Sequence, residues 1–525
     1  MSAILKAEDL NDFISPGVAC IKPVESVPAP ANGAPEYGEV EIQIDNEGNP
    51  LEISKIDGKQ QKLSAAQISL ADCLACSGCI TSAEEVLVAQ HSFDQLVNTL
   101  DSQKHSKVFA ASVCHQARSS LAQAFQTSVE NIDCMLVDLF VNQMGFKYVV
   151  GTSLGRRLSL VNEFEHVYQR KKDQSSGPIL SSVCPGWVLY AEKTHPEVLD
   201  RLSTVKSPQQ FTGCLLKSLV KDVPRENIYH VSIMPCFDKK LESARPELNE
   251  PKVSDVDCVL TPRELVNLVE QNDHYNFNFS SPLLKLSMSE LYKKVAPPNW
   301  PFLEHSWSND DGSTSGGWGF NYLLQYQQKL LEEAPDKYRN SSKFNIKRIN
   351  GKNNDIYELR LEYDTIKVAS TAVVNGFRNI QNLVRKLKAP EKAAAKPTGR
   401  AVVARRRMRT SRSATPNGSD EAEDVDATKC DYVEIMACPN GCINGGGQIS
   451  HGKDVSDKEW LDQCVMKYKS IQSLDLNKDV VSNLMNWCNN FYEDSNISSD
   501  RLTTTYFKEV EKPQDQASIL LGSKW

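Results

Sequence analysis

The sequence predicts an α/β protein in which a largely parallel β-sheet is covered by helices. From about residue 105, short apolar runs alternate with amphipathic segments, as in chains whose strands are buried on both faces of a sheet. The length of 525 residues allows two or more domains, each with a full core. Cysteines with metal-ligand spacing lie before residue 105, so we expect a small N-terminal metal-binding lobe beside this core.

Composition divides the chain into five parts. Residues 390–429 do not have the composition of a folded domain. Six arginines fall between Arg400 and Arg412, and five acidic residues fall between Asp420 and Asp426. We predict a disordered insert there, and we favour a solvated linker over a nuclear-import or nucleic-acid-binding patch. The predicted parts are the N-terminal lobe with a proline-rich connector (1–104), the α/β core (105–389), the insert (390–429), the C-terminal part of the core (430–512) and a tail (513–525).

The overall charge and the N-terminus limit the classes of function. A formal charge of −8 gives no general attraction to nucleic acid or to an anionic membrane. The N-terminal residues include acids where a secretion signal needs an apolar core, and no apolar run is long enough to span a bilayer. We therefore expect an intracellular, soluble protein, in which fifteen cysteines indicate metal or cluster ligation rather than disulfides.

The N-terminal lobe contains a predicted hairpin and a predicted helix start. Apolar and polar residues alternate over Val40–Ile44, and Asn46–Asn49 offers a turn before the second strand at Leu51–Ile53. Ser82 and Glu85 have capping-box spacing, so a helix should begin there.

The core should contain at least five strands with helices between them. Each predicted strand is a short apolar run, and each predicted helix is an amphipathic segment that follows one. The strands are expected near Val108–Val113, Phe146–Gly151, Ile179–Val183, Tyr229–Met234 and Val256–Leu260, and helices near Leu158–Gln169, Trp187–Glu192, Gln209–Val220, Arg263–Glu270 and over 455–495.

Several cysteines stand just past these apolar runs. Cys184, Cys236 and Cys438 each follow one, and the carboxyl ends of parallel strands meet at one edge of a sheet, where ligands bind. Three thiolates are therefore expected to converge. Cys114 has the same position after its own strand, so we also regard it as a candidate for either metal site.

The segment Met436–Gln448 has the features of a loop around an inorganic cluster. Cys438 and Cys442 supply two sulfur ligands, and the Gly445–Gly447 run lets backbone N–H groups approach cluster sulfur. The rest of the chain should bring further ligands to this loop.

A second cysteine group lies in the N-terminal lobe. Cys73, Cys76 and Cys79 have the spacing by which ferredoxins bind three irons of a 4Fe-4S cube, and we favour this cluster over a structural zinc ion, which usually takes two separated pairs. A fourth ligand must come from elsewhere. We choose Cys20, because the proline-rich connector would let it fold back over the site, with Cys114 and Cys134 as competitors.

Three long segments resemble the signature segments of iron-only hydrogenases. They surround the strand-end cysteines and are Ser181–Val188, Ile233–Glu242 and Met436–Gln448. The similarity extends to Ser207–Gln210, Asp255–Thr261 and Val374–Gly376, and it covers roughly residues 70–460 apart from the insert. It implies an iron-only-hydrogenase-like core of parallel and mixed sheets flanked by helices. It also implies a 4Fe-4S cube held by Cys184, Cys236, Cys438 and Cys442, the last of which bridges to a two-iron subsite in hydrogenases.

The chain also departs from the hydrogenase pattern. Val183 stands where hydrogenases have a cysteine that passes protons to the subsite, and a valine carries no proton. The glycine-rich segment that lines the subsite is changed to Ser313–Trp318. Lys239 keeps the place of a lysine that contacts the subsite's diatomic ligands, with an ordinary surface lysine as the alternative. The valine at position 183 argues against fast hydrogen turnover.

The same departures resemble the eukaryotic relatives of hydrogenases that act in cytosolic and nuclear iron-sulfur protein assembly. This resemblance implies two 4Fe-4S clusters, one on Cys20 with the N-terminal triplet and one in the core. It implies partners as well: upstream P-loop scaffold proteins, a WD40-repeat protein of a targeting complex, and apo iron-sulfur client proteins. Trp525 is a candidate docking residue for the targeting complex, and we expect no nucleic-acid or membrane partner. The implied location is the cytoplasm, with the nucleus as a second compartment.

Two alternative functions stay open at this point. An active hydrogenase or another redox enzyme is the first, and a zinc-stabilised interaction protein is the second. Six further cysteines lack a spaced partner and are expected to be small core residues. They are Cys134, Cys214, Cys258, Cys430, Cys464 and Cys488.

Overall fold

The computed structural model describes most of the core and part of the N-terminal region. The described residues are 40–44, 50–54, 60–62, 87–88, 90–173, 177–247, 250, 253–388, 425–451 and 455–510. Contacts divide the chain into a unit of residues 1–85 and a unit of residues 86–525. Several predictions fall outside the described residues: Cys20, Cys73, Cys76, Cys79, the Ser82 helix start, the insert up to residue 424, and the tail with Trp525.

The described part of the first unit is an antiparallel sheet. It consists of β1 (Val40–Ile44), β2 (Pro50–Ser54) and β3 (Gln60–Lys62), in the order β1-β2-β3. Val40 pairs with Ser54 and Ile44 pairs with Pro50, so the predicted hairpin is confirmed, and a third strand extends it.

The second unit contains two sheets. Its strands are β4 (Val108–Val113), β5 (Tyr148–Gly151), β6 (Ile179–Leu180), β7 (Ile228–Ile233), β8 (Cys258–Leu260), β9 (Phe344–Asn350), β10 (Ile356–Tyr363), β11 (Ile366–Asn375) and β12 (Tyr432–Met436). One sheet has the order β5-β4-β7-β8 and is parallel throughout. The other has the order β6-β12-β11-β10-β9; its pairs β6-β12 and β12-β11 are parallel, and its remaining pairs are antiparallel.

The prediction that the core strands share one sheet is wrong for the strand at Ile179. This strand pairs with β12 in the mixed sheet, and it ends at Leu180 rather than at Val183. The strand is short because the N–H of Ile435 donates to the Ser181 hydroxyl at 2.9 Å and not to a backbone carbonyl that would continue the pairing with β12. The fold class of parallel and mixed sheets flanked by helices is confirmed.

Helices connect and cover the strands. Their bounds are α1 (Phe93–Gln103), α2 (His115–Ala124), α3 (Val129–Val137), α4 (Ser153–Lys172), α5 (Pro185–Thr194), α6 (Pro208–Leu219), α7 (Asp238–Ser243), α8 (Pro262–Glu270), α9 (Met288–Val295), α10 (Trp318–Glu333), α11 (Phe377–Lys388), α12 (Asp457–Ser470), α13 (Lys478–Asn489), α14 (Phe491–Ser495) and α15 (Ser499–Thr503). The predicted helices within the described residues all overlap observed ones. The sequence analysis gave no bounds for α1 to α3, α7, α9 to α11 and α15, nor for β9 to β11.

Helix starts in the core follow from local sequence. Ser207 and Thr261 form capping boxes with Gln210 and Glu264, and a proline occupies the first helical turn in both α6 and α8. The Thr261 cap fixes where β8 gives way to α8, and the Ser207 cap fixes the start of α6. No helix in the described ranges has the length and apolar character needed to cross a membrane.

A buried carboxyl group links the long helix α4 to the mixed sheet. Glu163 accepts hydrogen bonds from Ser203 and from the hydroxyl of Tyr432, at 2.8 Å for the latter. Burial raises the pKa of Glu163 from 4.5 to about 7, although both hydrogen bonds lower it. The protonated acid is therefore favoured in the folded protein up to about pH 7, and the cost in stability grows as pH rises from the unfolded pKa toward the folded pKa.

We expect Glu163→Gln to gain stability relative to the wild type as pH rises from 5 to 8. A carboxyl whose folded pKa lies above its unfolded pKa destabilises the fold progressively above the unfolded value, by up to about 3 kcal/mol for a shift of this size. The neutral amide avoids this cost. Anaerobic thermal unfolding at several pH values measures the stability difference between the variant and the wild type. Glu165→Gln on the same helix is the control. A melting-temperature difference between variant and wild type that does not change with pH would contradict the prediction.

Candidate metal centre

Four cysteines lie at the carboxyl ends of strands in both sheets of the second unit. Cys184 is the N-cap of α5 after β6, and Cys438 follows β12, the neighbour of β6. Cys236 follows β7 of the parallel sheet. Cys442 belongs to the same loop as Cys438. The predicted convergence therefore occurs, but between two sheets rather than at the edge of one.

The four thiols interact electrostatically. Burial raises the pKa of all four thiols, to about 12 for Cys442. Cys184 and Cys442 additionally raise the pKa of both Cys236 and Cys438, because a thiolate near another thiolate is unfavourable. Such thiols stay protonated until a metal group compensates their charge.

Backbone N–H groups approach the sulfurs. The N–H of Ala437 donates to Cys184 Sγ at 3.3 Å, across the β6-β12 junction. Cys184 is buried, and the other three cysteines are partly buried. Donors of this kind stabilise thiolates and cluster sulfur, so the donor set matches a bound iron-sulfur group.

Glycines bring the Cys442 loop against the Cys236 segment. The N–H of Gly447 donates to the carbonyl of Pro235 at 3.0 Å. A Cβ atom on Gly445 would lie 2.4 Å from the same carbonyl oxygen, which no side chain tolerates without backbone movement. Gly441 has φ +81°, a left-handed conformation that favours glycine. The glycine-rich sequence thus provides close approach, as predicted from Met436–Gln448.

The changed segment Ser313–Trp318 packs directly on this loop. Ser315 Oγ accepts the N–H of Cys442 at 2.9 Å. The hydroxyl of Ser313 donates to Glu434, which also accepts the N–H of Gly319 at 2.9 Å. Sequence reasoning identified this segment as altered, but it missed Ser315 and Glu434 as individual site residues, because their partners are more than one hundred positions away in the chain.

Lys239 is buried beside the thiols rather than at the surface. Its side chain is paired with Glu242, and its Nζ donates to the carbonyl oxygen of Val183 at 3.0 Å. Burial lowers the pKa of Lys239, but Glu242, Cys236 and Cys442 raise it above its ordinary value, so the ammonium form is favoured. The alternative of a surface lysine is wrong.

Cys114 caps a helix next to the same region. Its Sγ accepts the N–H of Ala117 at 3.4 Å, and burial raises its pKa to about 11 while Lys239 lowers it. This thiol therefore lies on the side of the core where Lys239 lies, and its functional role stays a prediction. The six cysteines expected in the core, Cys134, Cys214, Cys258, Cys430, Cys464 and Cys488, are all buried.

The described residues hold half of the predicted ligand set. Cys184, Cys236, Cys438 and Cys442 come together, while Cys20, Cys73, Cys76 and Cys79 lie outside the described ranges. Across those ranges, no three histidine, cysteine or acidic side chains form a group able to hold a single metal ion. A 4Fe-4S cube does not require such a group, because each cysteine binds a different iron.

Comparisons with known proteins agree with this architecture. The family described as iron only hydrogenase large subunit, C-terminal domain, matches residues 107–446. The chain is 58% identical over 553 residues to the cytosolic Fe-S cluster assembly factor NAR1 of Scheffersomyces stipitis, with 100% of both chains covered. The protein of the same name from Saccharomyces cerevisiae is 36% identical, with 89% of this chain and 90% of that protein covered.

Solved structures show the same fold at low sequence identity. An apo FeFe-hydrogenase variant from Chlamydomonas reinhardtii has a TM-score of 0.55 and 18% identity, covering 80% of this chain and 99% of that chain. A second hydrogenase structure, described by oxygen inactivation of its cluster, has a TM-score of 0.55 at 19% identity with the same coverage. The predicted resemblance to hydrogenases and to their assembly-factor relatives is confirmed.

We expect Gly445→Ala to lower both the stability and the iron content of the anaerobically purified protein. The new methyl group would meet the Pro235 carbonyl and push the Cys442 loop away from Cys236. Overpacking of this kind costs about 1–3 kcal/mol. Chemical unfolding and iron analysis measure the two effects.

Gly213→Ala is the matched control. A Cβ there would lie 2.4 Å from the carbonyl oxygen of Asp255, the same clash as at Gly445, but in the contact of α6 with residue 255. It should cost similar stability and leave the iron content unchanged. Equal iron loss in both variants would mean that the Gly445 effect is general destabilisation.

Proposed function

Because the chain belongs to the iron-only-hydrogenase-related family of cytosolic Fe-S cluster assembly factors, we propose that it binds two 4Fe-4S clusters and relays clusters to cytosolic and nuclear apoproteins. The observation that carries this proposal is the meeting of four thiols from three distant segments in one place. Thiolates are the standard protein ligands of such clusters.

The core cluster is assigned to Cys184, Cys236, Cys438 and Cys442. Each thiol would ionise and bind one iron, and the bound cluster would supply one-electron chemistry and exchangeable iron and sulfide. The protein contributes the remaining stabilisation: the Ala437 N–H at Cys184 and the nearby Lys239 ammonium both favour negative charge on sulfur. The glycine-rich loop brings Cys442 against the segment that carries Cys236.

The N-terminal cluster is assigned to Cys73, Cys76 and Cys79 with Cys20 as the fourth ligand. The ferredoxin-like spacing of the triplet supports this cluster, and the proline-rich connector between Cys20 and the triplet supports the long-range fourth ligand. A ligand on such a connector makes this cluster the more labile of the two.

We assign the protein to cluster assembly rather than to hydrogen turnover. A proton relay needs a titratable side chain within hydrogen-bond reach of the reacting metal, and position 183 holds a valine. The Val183 carbonyl instead accepts the Lys239 ammonium, and Ser315 occupies a position against Cys442. Lys239 is thus paired with groups of the protein itself, namely the Val183 carbonyl and Glu242.

The proposed partners follow from the family. They are upstream P-loop scaffold proteins, a WD40-repeat protein of the targeting complex and apo client proteins. Trp525 at the C-terminus is the proposed docking residue for the targeting complex.

Metal analysis is the direct test of two clusters. We expect about eight iron and eight acid-labile sulfide per chain in the anaerobic protein, since each cube contains four of each. Cys438→Ala and Cys73→Ala should each lose about half of both, because each removes a ligand of a different cluster. Cys488→Ala, which alters a buried core cysteine, serves as the control and should retain all of the iron.

Other outcomes would favour the alternatives. Zinc without sulfide would identify a zinc-stabilised interaction protein. Infrared bands of CO or cyanide on iron, or hydrogen evolution from a reduced dye, would identify a working hydrogenase.

Exposure to air should remove iron first from the N-terminal site. Its fourth ligand lies on a connector, whereas the core thiols are held by the carboxyl ends of two sheets. Timed iron and sulfide analysis of Cys438→Ala and Cys73→Ala, each of which retains one cluster, measures the two rates separately. Equal rates of loss would contradict the proposed difference in lability.

A further inference from the structure

A buried ion pair lies beside the four thiols. Lys239 Nζ lies 2.8 Å and 3.0 Å from the two carboxylate oxygens of Glu242, and both residues are in the short helix α7, which follows Cys236. Lys239 is 9% exposed and Glu242 is 5% exposed. Buried charges are screened little by water, so this pair acts on its surroundings more strongly than a surface pair does.

The pair is held in one geometry. Ser207 Oγ donates to Glu242 Oε2 at 2.7 Å, and Gln209 Nε2 donates to the same oxygen at 3.1 Å. Gln209 Nε2 also donates to the backbone carbonyl of Lys239 at 3.0 Å. Ser207 and Gln209 at the N-terminal end of α6 therefore position the carboxylate, and the carboxylate positions the ammonium.

The ammonium is directed toward the thiol site. Its third acceptor is the carbonyl oxygen of Val183, the residue that precedes Cys184. Lys239 also interacts electrostatically with Cys184, Cys236 and Cys442, favouring the thiolate in each case. A fixed cation at this point stabilises whichever state of the site carries more negative charge.

We propose that the Lys239–Glu242 pair sets the reduction potential of the cluster held by Cys184, Cys236, Cys438 and Cys442. This inference rests on the proposed function, because it requires a cluster at these thiols. When an external one-electron donor reduces the cluster, one electron enters it and no bond forms or breaks. Lys239 stabilises the reduced, more negative cluster, and Glu242 limits that effect by opposing the charge of Lys239.

The neighbouring lysine provides a matched control. Lys240 is 1% exposed and is paired with Glu264 at 2.5 Å, and its Nζ also donates to the carbonyl of His91 at 2.7 Å. It is as buried as Lys239 and belongs to the same helix, but its partners are Glu264 and the His91 carbonyl rather than Glu242 and the residue before Cys184. Loss of Lys240 thus reproduces the structural cost of removing a buried lysine.

The test uses the full-length chain carrying Cys76→Ala, so that the core cluster alone gives a signal. Anaerobic redox titration with dithionite and mediator dyes, read by electron paramagnetic resonance, gives the midpoint potential. Lys239→Met should lower it, changing the ratio of oxidised to reduced cluster at the original midpoint by about tenfold, which is about 59 mV for one electron. Glu242→Gln should raise it. Lys239→Arg, which keeps the charge, should stay within about twofold, and Lys240→Met should leave the potential unchanged.

The outcomes separate this inference from the proposed function. If the Cys76→Ala parent shows no core cluster, the proposed function itself fails. If the parent holds a cluster and both Lys239→Met and Glu242→Gln leave its potential unchanged, or shift it in the same direction, the pair does not set the potential. If neither variant retains a cluster, the pair serves to hold the cluster in place and the inference is overturned. If only Lys239→Met loses the cluster, the midpoint potential of Glu242→Gln tests the inference. An increase supports it, and no change or a decrease overturns it.

Discussion

The burial of four thiols whose ionised forms repel one another is the constraint on which the rest of the site depends. Each ionised thiol would carry negative charge into an interior where burial already raises its pKa. Two groups of the protein offset part of this negative charge: the Ala437 N–H, which donates to Cys184, and the Lys239 ammonium nearby. The proposed cluster would supply the remaining compensation, so that cluster binding and a stable arrangement of these segments would depend on each other.

Two sheets share the task of placing the thiols. The β6-β12 pair carries Cys184 and Cys438 side by side, and β7 of the parallel sheet carries Cys236. The Cys442 loop closes the gap because glycines at 445 and 447 permit contact with the Pro235 backbone. A Cβ atom at Gly445 would clash with the Pro235 carbonyl and one at Gly447 would clash with Thr261, so a side chain at either position would push this loop away from the Cys236 segment.

Buried ion pairs recur away from the thiols and position other parts of the core. Lys206 pairs with Glu247 and Asp255, and Arg501 in the last helix reaches Asp255 as well. Burial makes each unpaired charge expensive, so the partners must assemble together and fix the place of α15.

Beyond α15, the described chain reaches Val510, whose N–H donates to the carbonyl of Glu192 in α5 at 3.0 Å. The helix that begins at Cys184 therefore also contacts the end of the described chain.

The sequence alone determined the strand at Val108–Val113, the positions of several core helices and which four cysteines come together in the second unit. Strand and helix periodicity are set by neighbours within a few residues, and cysteines after apolar runs follow from the same local pattern. Only the tertiary structure decided that the strands form two sheets, that β9 to β11 pair antiparallel, and that Ser315 contacts Cys442 across 127 positions. It also turned Lys239 inward to Glu242 and Val183. These outcomes depend on which distant groups are available to neutralise a buried charge or complete a strand edge, and local sequence does not contain that information.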